Sequence, residues 1–166
     1  MDTVAVIKNG SNEKRMRSIL RHIDHVRENC EILGGKLIDN GEELGRSLIA
    51  NGLIHDNSKF YGIEWLHLNE CSRIQEPENF KLAIIQHTTT NPHHPEYTKW
   101  GCIQRMPRLY LAEMVCDWHA RSSEFGTSLR DWIDGCAVKK YELLTTELVY
   151  KEIIEFMDLL LERKFV

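Results

Sequence analysis

The sequence predicts an all-α protein, a single domain built as a bundle of about six or seven helices. Three observations lead to this prediction. Apolar residues recur every three or four positions in several long segments, alternating stretches typical of strands are nearly absent, and prolines or capping residues stand where helical segments begin. At 166 residues, 42% hydrophobic and 28% charged, the chain suits one domain with its own core.

The elements follow from these patterns in order. Residues 1–10 are predicted to form an N-terminal tail or a short extended segment, and residues 11–166 the helical domain. The first helix is predicted over residues 14–33, because its apolar stripe ends where Gly34-Gly35 can terminate a helix. Later helices are predicted over residues 42–54, 58–68, 78–87, 107–122, 129–133 and 138–162. Residues 88–95 are rich in threonine and proline and are predicted to be irregular.

Composition excludes several classes of protein. The net charge of −4 provides no basic stripe to coat a long nucleic acid, although a local pocket for one small anion is compatible with it. The five cysteines are scattered without a C-x-x-C pair, which is typical of reduced thiols in a cytosolic protein. No signal core or membrane-length apolar run is present. We therefore expect a cytoplasmic protein without a membrane partner, whose apolar faces allow a homodimer.

His55-Asp56 is the sharpest chemical feature of the sequence. Adjacent imidazole and carboxylate groups at the end of a helix can each give one bond to the same metal, and this mixed donor set suits borderline or hard divalent ions. A His-Asp dipeptide also arises by chance, so its interpretation as a metal site depends on further ligands from other helices.

His22 and Asp117 supply those ligands. His22 lies between Ile19 and Val26 at helical spacing and therefore projects from the buried stripe, whereas His25 lies on the polar face. Asp117 stands in an otherwise apolar helix, where a buried carboxylate is costly unless it is paired or bound to metal. A core histidine with a hydrogen-bond partner is the alternative for His22, but one shared metal accounts for both residues.

A second metal is predicted from the remaining histidines. His87 ends a helix, and His93-His94 follow in a loop bounded by prolines. These histidines can ligate a second ion, with Asp56 bridging the two metals. The alternative is that the loop histidines are exposed or hold substrate. We assign His87 and His94 to the metal and His93 to substrate, although the sequence leaves open which of the pair is the ligand.

The order His, His-Asp, Asp across separate helices is similar to the HD superfamily of metal-dependent phosphohydrolases. A small, poorly characterised HD-like family of bacteria and phages is the closer resemblance. Its matching segments, which together span about residues 20 to 120, are Arg21-His22 with Val26, His55-Asp56-Asn57-Ser58-Lys59-Phe60 with Glu64, His87 with Asn91-Pro92-His93-His94-Pro95-Glu96-Tyr97, and Met106-Pro107 with Tyr110, Glu113-Met114 and Cys116-Asp117-Trp118.

This resemblance implies an HD-type helical bundle that hydrolyses a phosphoester of a small nucleotide, such as a deoxynucleoside mono- or triphosphate, with a metal-activated water. The cofactor is then one divalent ion or two, drawn from zinc, manganese, iron, cobalt and magnesium. The metal ligands are His22, His55, Asp56, His87, His94 and Asp117. The catalytic residues are Asp56, Lys59 and Glu64, and the substrate-binding residues are Arg17, Arg21, Lys59 and His93.

Two other functions remain open from the sequence. The same ligand set occurs in HD-like di-iron oxygenases that cleave C–C or C–P bonds. A non-catalytic sensor that binds a nucleotide would need the same pocket without turnover. For Lys59, Arg17 and Arg21, the alternative to a role in binding phosphate is a solvated helix face.

Overall fold

The computed structural model describes residues 3–162 and the side chains of residues 12–162. The helices are α1 (Thr3–Asp39), α2 (Leu44–Gly52), α3 (Gly62–His67), α4 (Glu70–Gln75), α5 (Pro77–Thr90), α6 (Arg108–Glu124), α7 (Leu129–Trp132), α8 (Val138–Lys140) and α9 (Leu148–Leu161). Short 3₁₀ helices cover Asn57–Phe60 and Ile103–Arg105, and a π-helical turn over Ile133–Ala137 joins α7 to α8. No strand occurs in the described ranges, and the all-α prediction is confirmed.

The first helix extends beyond its predicted limits at both ends. Residues 3–10 are helical, so the prediction of a tail or extended segment does not hold for them, while residues 1 and 2 lie outside the described residues. A short apolar run is ambiguous between strand and helix, and a chain without proline extends an existing helix more readily than it starts a new element. At the other end, α1 continues through Gly34-Gly35 to Asp39.

Gly34 permits close packing between helices instead of ending α1. A Cβ atom on Gly34 would lie 2.7 Å from the carbonyl oxygen of Gly45, and one on Gly45 would lie 2.2 Å from the carbonyl oxygen of Gly34. Helix α1 ends at Asp39 and is closed two residues later by Gly41, whose φ of +83° suits the left-handed position after a helix end. The amide of Gly41 bonds the Ile38 carbonyl and that of Glu42 the Leu37 carbonyl, the pattern of a Schellman motif.

Helix α6 is the centre of the hydrophobic core. It packs against α1, α2 and α9. Its fully or nearly buried residues are Leu111, Ala112, Glu113, Met114, Val115, Cys116, Trp118, Ala120 and Ser122. Because α6 is covered on nearly every side, a polar side chain on it must find a partner inside the protein. Among the described residues, none of the helices combines the length and apolar character that a bilayer crossing requires.

The C-terminal segment is not the continuous helix predicted over residues 138–162. Helix α8 ends at Lys140, Glu142 takes a left-handed φ of 53°, and α9 begins at Leu148. Part of the predicted apolar face is solvent-exposed, since Leu144 and Leu148 are 61% and 72% exposed. The break lets Leu143 enter the core and gives α9 its own buried face, formed by Val149, Ile153, Phe156, Met157 and Leu160.

Helices α3, α4 and α5 pack on one another as a smaller layer. Arg15 of α1 contacts this layer by donating hydrogen bonds to the carbonyl oxygens of Glu64 at 2.8 Å and Leu68 at 3.3 Å. The Asn91 side-chain amide donates to the Ser58 hydroxyl at 3.0 Å, and this bond holds the end of α5 beside the segment between α2 and α3.

Candidate metal centre

The first cluster of candidate ligands brings together three parts of the chain. It consists of His22 from α1, His55 and Asp56 from the segment after α2, and Asp117 from α6. The Nε2 atom of His22 lies 3.0 Å from Asp117 Oδ1 and 3.5 Å from Asp56 Oδ2. The Nε2 atom of His55 lies 3.5 Å from Asp56 Oδ2 and 3.9 Å from Asp117 Oδ1. As the helix phase predicts, His22 is buried and His25 is exposed.

The second cluster consists of Asp56, His87, His93 and His94. The Nε2 atoms of His87 and His93 each lie 3.5 Å from Asp56 Oδ1, and Nε2 of His94 lies 3.0 Å from Nε2 of His87. Local hydrogen bonds fix the loop that carries two of these histidines: Trp100 donates to the carbonyl oxygen of His94 at 3.0 Å.

Asp56 belongs to both clusters because its two oxygens face in different directions. Oδ2 is turned toward His22 and His55, and Oδ1 toward His87 and His93. The residue has a left-handed φ of 55°, unusual for a residue other than glycine, and a conformation of this kind is often retained at a functional site. A carboxylate placed in this way could provide one oxygen to each of two metal ions.

The donor atoms fit divalent metal ions. The donor atoms form two groups, one of His22, His55 and Asp117 and the other of Asp56, His87, His93 and His94. Within each group the donor atoms lie within 4.8 Å of one another, close to twice a metal–ligand bond of about 2.1 Å. In the described part of the chain, nine buried side-chain nitrogen or oxygen atoms have no hydrogen-bond partner, and five belong to these clusters. With neutral imidazoles the five are His22 Nε2, His55 Nε2, Asp56 Oδ1, His93 Nε2 and Asp117 Oδ1. A proton on His22 Nε2 would pair that nitrogen with Asp117 Oδ1, which lies 3.0 Å away. A buried polar atom left unpaired costs about 1–3 kcal/mol, so an ion that binds several of them would stabilise the fold.

Electrostatics keep the two aspartates ionised. Burial alone would raise the pKa of Asp56, but Lys59 and His55 outweigh it and hold that pKa well below its usual value. Burial also opposes ionisation of Asp117, and His22 and His55 reverse the effect and lower its pKa. Burial alone would lower the pKa of His22, yet Asp117 and Asp56 raise it to about 9. Without a metal, the first cluster therefore holds a proton on His22 at neutral pH.

Each cluster is backed by carboxylates that contact the Nδ1 atoms of the histidines. The pairs are Glu124 with His22 at 3.0 Å, Glu113 with His55 at 3.0 Å and His93 at 3.4 Å, and Glu64 with His87 at 2.9 Å. Such contacts fix the tautomer and ring orientation of a metal-ligating histidine. Sequence reasoning did not assign this role to Glu113 or Glu124. A signal exists, because they lie four residues before and seven residues after Asp117 and so share its helix face.

The predicted catalytic residues all lie at the centre, with different surroundings. Lys59 is buried and its ammonium pairs with Asp56 Oδ2. Glu64 accepts a hydrogen bond from the Ser58 hydroxyl at 2.9 Å and contacts Nδ1 of His87 with the same oxygen, so it supports a candidate ligand.

Three substrate-binding assignments need correction. His93 is only 2% exposed and its Nε2 points at Asp56 Oδ1, so it is a candidate metal ligand together with His94. Arg17 and Arg21 are exposed, and Arg17 pairs with Glu13 one turn away. These arginines lie on the solvent face of α1, because residues one position or five positions from His22 on a helix project away from it.

The clusters are most accessible on the side of Asp117 and His94, which are partly exposed while the other ligands are buried. A cavity of about 310 Å³ lies beside the loop that follows His94. It is lined by Pro95, Glu96, Gly101, Cys102, Ile103, Gln104, Lys140, Tyr141 and Glu142. The Lys140 ammonium lies 2.8 Å from the Tyr141 hydroxyl and 3.8 Å from Glu96 Oε1.

The fold and the site define an all-helical protein with buried histidine–aspartate clusters that could hold a metal ion. The chain belongs to a family of unknown function, DUF5662, whose model matches residues 11–158. That range contains every residue of both clusters. No curated protein and no solved structure matches the chain significantly.

Proposed function

We propose that this protein is a metal-dependent phosphohydrolase that acts on a small nucleotide. The observation that carries the proposal is Asp56, whose two oxygens are turned toward two separate groups of imidazoles. The resemblance of the motifs to the HD superfamily favours the same chemistry. Bound divalent ions would polarise a phosphoryl oxygen and activate a water molecule for attack on phosphorus.

Lys59 is the residue best placed to assist that reaction. Its buried ammonium lies against Asp56 Oδ2, on the first-cluster side of the carboxylate. There it offsets the negative charge of Asp56 and can donate a hydrogen bond to a phosphoryl oxygen that reaches the centre. Glu64 acts differently, because it orients His87 instead of contacting the reacting groups.

The cavity beside Glu96 suits the remainder of the substrate. Its wall offers donors from Lys140 and Tyr141, and Glu96 adds an acceptor whose Oε2 has no hydrogen-bond partner among the described residues. A sugar hydroxyl both donates and accepts, and so matches this combination. A site with a few convergent polar groups in a cavity of this size is typical of small-molecule recognition.

Two measurements on the purified protein test the proposal. Elemental analysis of protein prepared without chelators should give one to two divalent ions per chain. A panel of nucleoside mono-, di- and triphosphates should then give metal-dependent phosphate release. The double variant His55→Ala, Asp56→Ala should lose both metal and activity, while His25→Ala, at an exposed position on α1, should keep both. Full activity in the double variant would refute the proposal.

A di-iron oxygenase is the second candidate, favoured by the three imidazoles of the second cluster. Histidine-rich sites suit iron as well as zinc. Stoichiometric iron, oxygen uptake with a polyol or phosphonate, and no phosphate release would select this candidate. Tight nucleotide binding without turnover, in protein with full metal content, would instead indicate a sensor.

A further inference from the structure

We propose that Glu113 couples the two metal positions by holding one histidine ligand of each in the orientation and tautomer that bind metal. Its Oε1 atom lies 3.0 Å from Nδ1 of His55, which belongs to the first cluster. The same oxygen lies 3.4 Å from Nδ1 of His93, which belongs to the second. One carboxylate oxygen therefore contacts one candidate ligand from each position.

These contacts determine which ring nitrogen of each histidine carries the proton. An ionised carboxylate only accepts hydrogen bonds, so its hydrogen bond with His55 requires a proton on Nδ1 of that ring. The 3.4 Å contact favours the same tautomer in His93, and each ring then keeps its Nε2 lone pair free. Both Nε2 atoms are buried without a hydrogen-bond partner in the described part of the chain, and both lie 3.5 Å from an oxygen of Asp56. Glu113 thus selects in both rings the tautomer that metal binding requires.

Glu113 is itself held in place. The side-chain amide of Asn51 on α2 donates to its Oε2 at 2.9 Å, and the residue is 5% exposed. The imidazoles of His55 and His93 also contact each other, with ring centroids 4.2 Å apart. A metal that fixes His55 in the first cluster consequently limits the movement of Glu113 and of His93 in the second.

The other two supporting carboxylates lack this double contact. Glu124 contacts His22 of the first cluster, and Glu64 contacts His87 of the second. They are matched controls, since each is a glutamate behind a single candidate ligand. The coupling role rests on the proposed two-metal centre but not on phosphoester hydrolysis, because it concerns metal binding alone.

Metal titration of the full chain, stripped of metal, tests this role with Co²⁺ as the probe. Affinity is measured by calorimetry and the coordination environment by visible absorption. Asp117→Ala leaves the second position to be measured alone, and His94→Ala leaves the first. We expect Glu113→Gln to weaken Co²⁺ binding about 10–100-fold in both backgrounds, because one amide cannot accept from both histidines and from Asn51.

The controls separate coupling from general damage. Glu124→Gln should weaken only the first position, and Glu64→Gln only the second. Asn51→Ala keeps the carboxylate but frees it to move, and should weaken both positions to a smaller extent than Glu113→Gln. Circular dichroism verifies that each variant is folded.

Loss at only one position, or none, in folded Glu113→Gln would overturn the coupling role. Absence of Co²⁺ binding to the wild type would overturn the metal centre as a whole. Coupled binding without phosphate release would leave Glu113 in its role and refute only the proposed hydrolysis.

Discussion

The stability of the metal-free protein should fall as the pH rises from about 7 to about 8.5, because the folded protein keeps a proton on His22 that the unfolded chain has already lost over this range. The pKa of His22 is raised from 6.5 to about 9 in the folded state. A pKa raised by folding adds stability that is fully present below the unfolded value of 6.5 and is lost as the pH rises through about 9. The difference of about 2.5 units corresponds to about 3 kcal/mol in full, of which about 2 kcal/mol is lost in this window.

Urea denaturation of chelated protein at several pH values measures this loss. His22→Gln removes the titrating group and should flatten the dependence, whereas His25→Gln, three residues along on the exposed face, should not change it. Saturating metal should reverse the sign, since the ion competes with the proton for His22 and binds more tightly at higher pH. Stability of the wild-type metal-free protein that is constant or rises across the window would refute the reasoning.

Three further predictions concern metal loading, helix packing and substrate binding. Asp56→Asn should reduce the metal content at both positions, because one carboxylate oxygen faces each cluster. Loss of only one ion, measured by elemental analysis, would contradict a role for Asp56 in both positions. Gly34→Ala should lower the free energy of unfolding, measured by urea titration, by about 1–3 kcal/mol, because its Cβ would meet the Gly45 carbonyl. Gly35 has open space around it, so Gly35→Ala should leave the free energy of unfolding equal or higher by up to about 1 kcal/mol. Lys140→Ala should raise KM about tenfold (about 1.4 kcal/mol) with unchanged metal content, because Lys140 lines the cavity. Lys139→Ala, at a neighbouring position outside the cavity lining, should leave KM unchanged. Equal KM values for the two variants would show that the cavity does not bind the substrate.

Much of the candidate site was predictable from the sequence, because its signals are local. The helical periodicity places His22 on the buried face of α1 and His25 on the exposed face. The cost of burying an unpaired carboxylate indicates that Asp117 is a candidate metal ligand. His55-Asp56 needs only adjacency. The supporting role of Glu113 was not predicted, although it lies one helical turn before Asp117, because the sequence does not show which histidines meet that face.

Other parts of the site depended on distances that no local pattern encodes. His93 and His94 are neighbours in a loop, and only the packing of that loop against Asp56 assigns both to the second cluster. Arg17 and Arg21 are close to His22 in sequence but lie on the solvent-exposed side of α1. A helix turns each residue by about 100°, so closeness along the chain does not imply the same face.

For this protein the sequence by itself determined the helical class, most of the helix positions and the principal candidate ligands, because helix formation and burial follow from short-range periodicity. The tertiary structure alone decided that Gly34 packs against α2 instead of ending α1, and that the last segment breaks at Glu142. It also decided that one aspartate faces two groups of histidines. These features depend on which surfaces meet across the chain, and long-range packing overrides local preference wherever the two disagree.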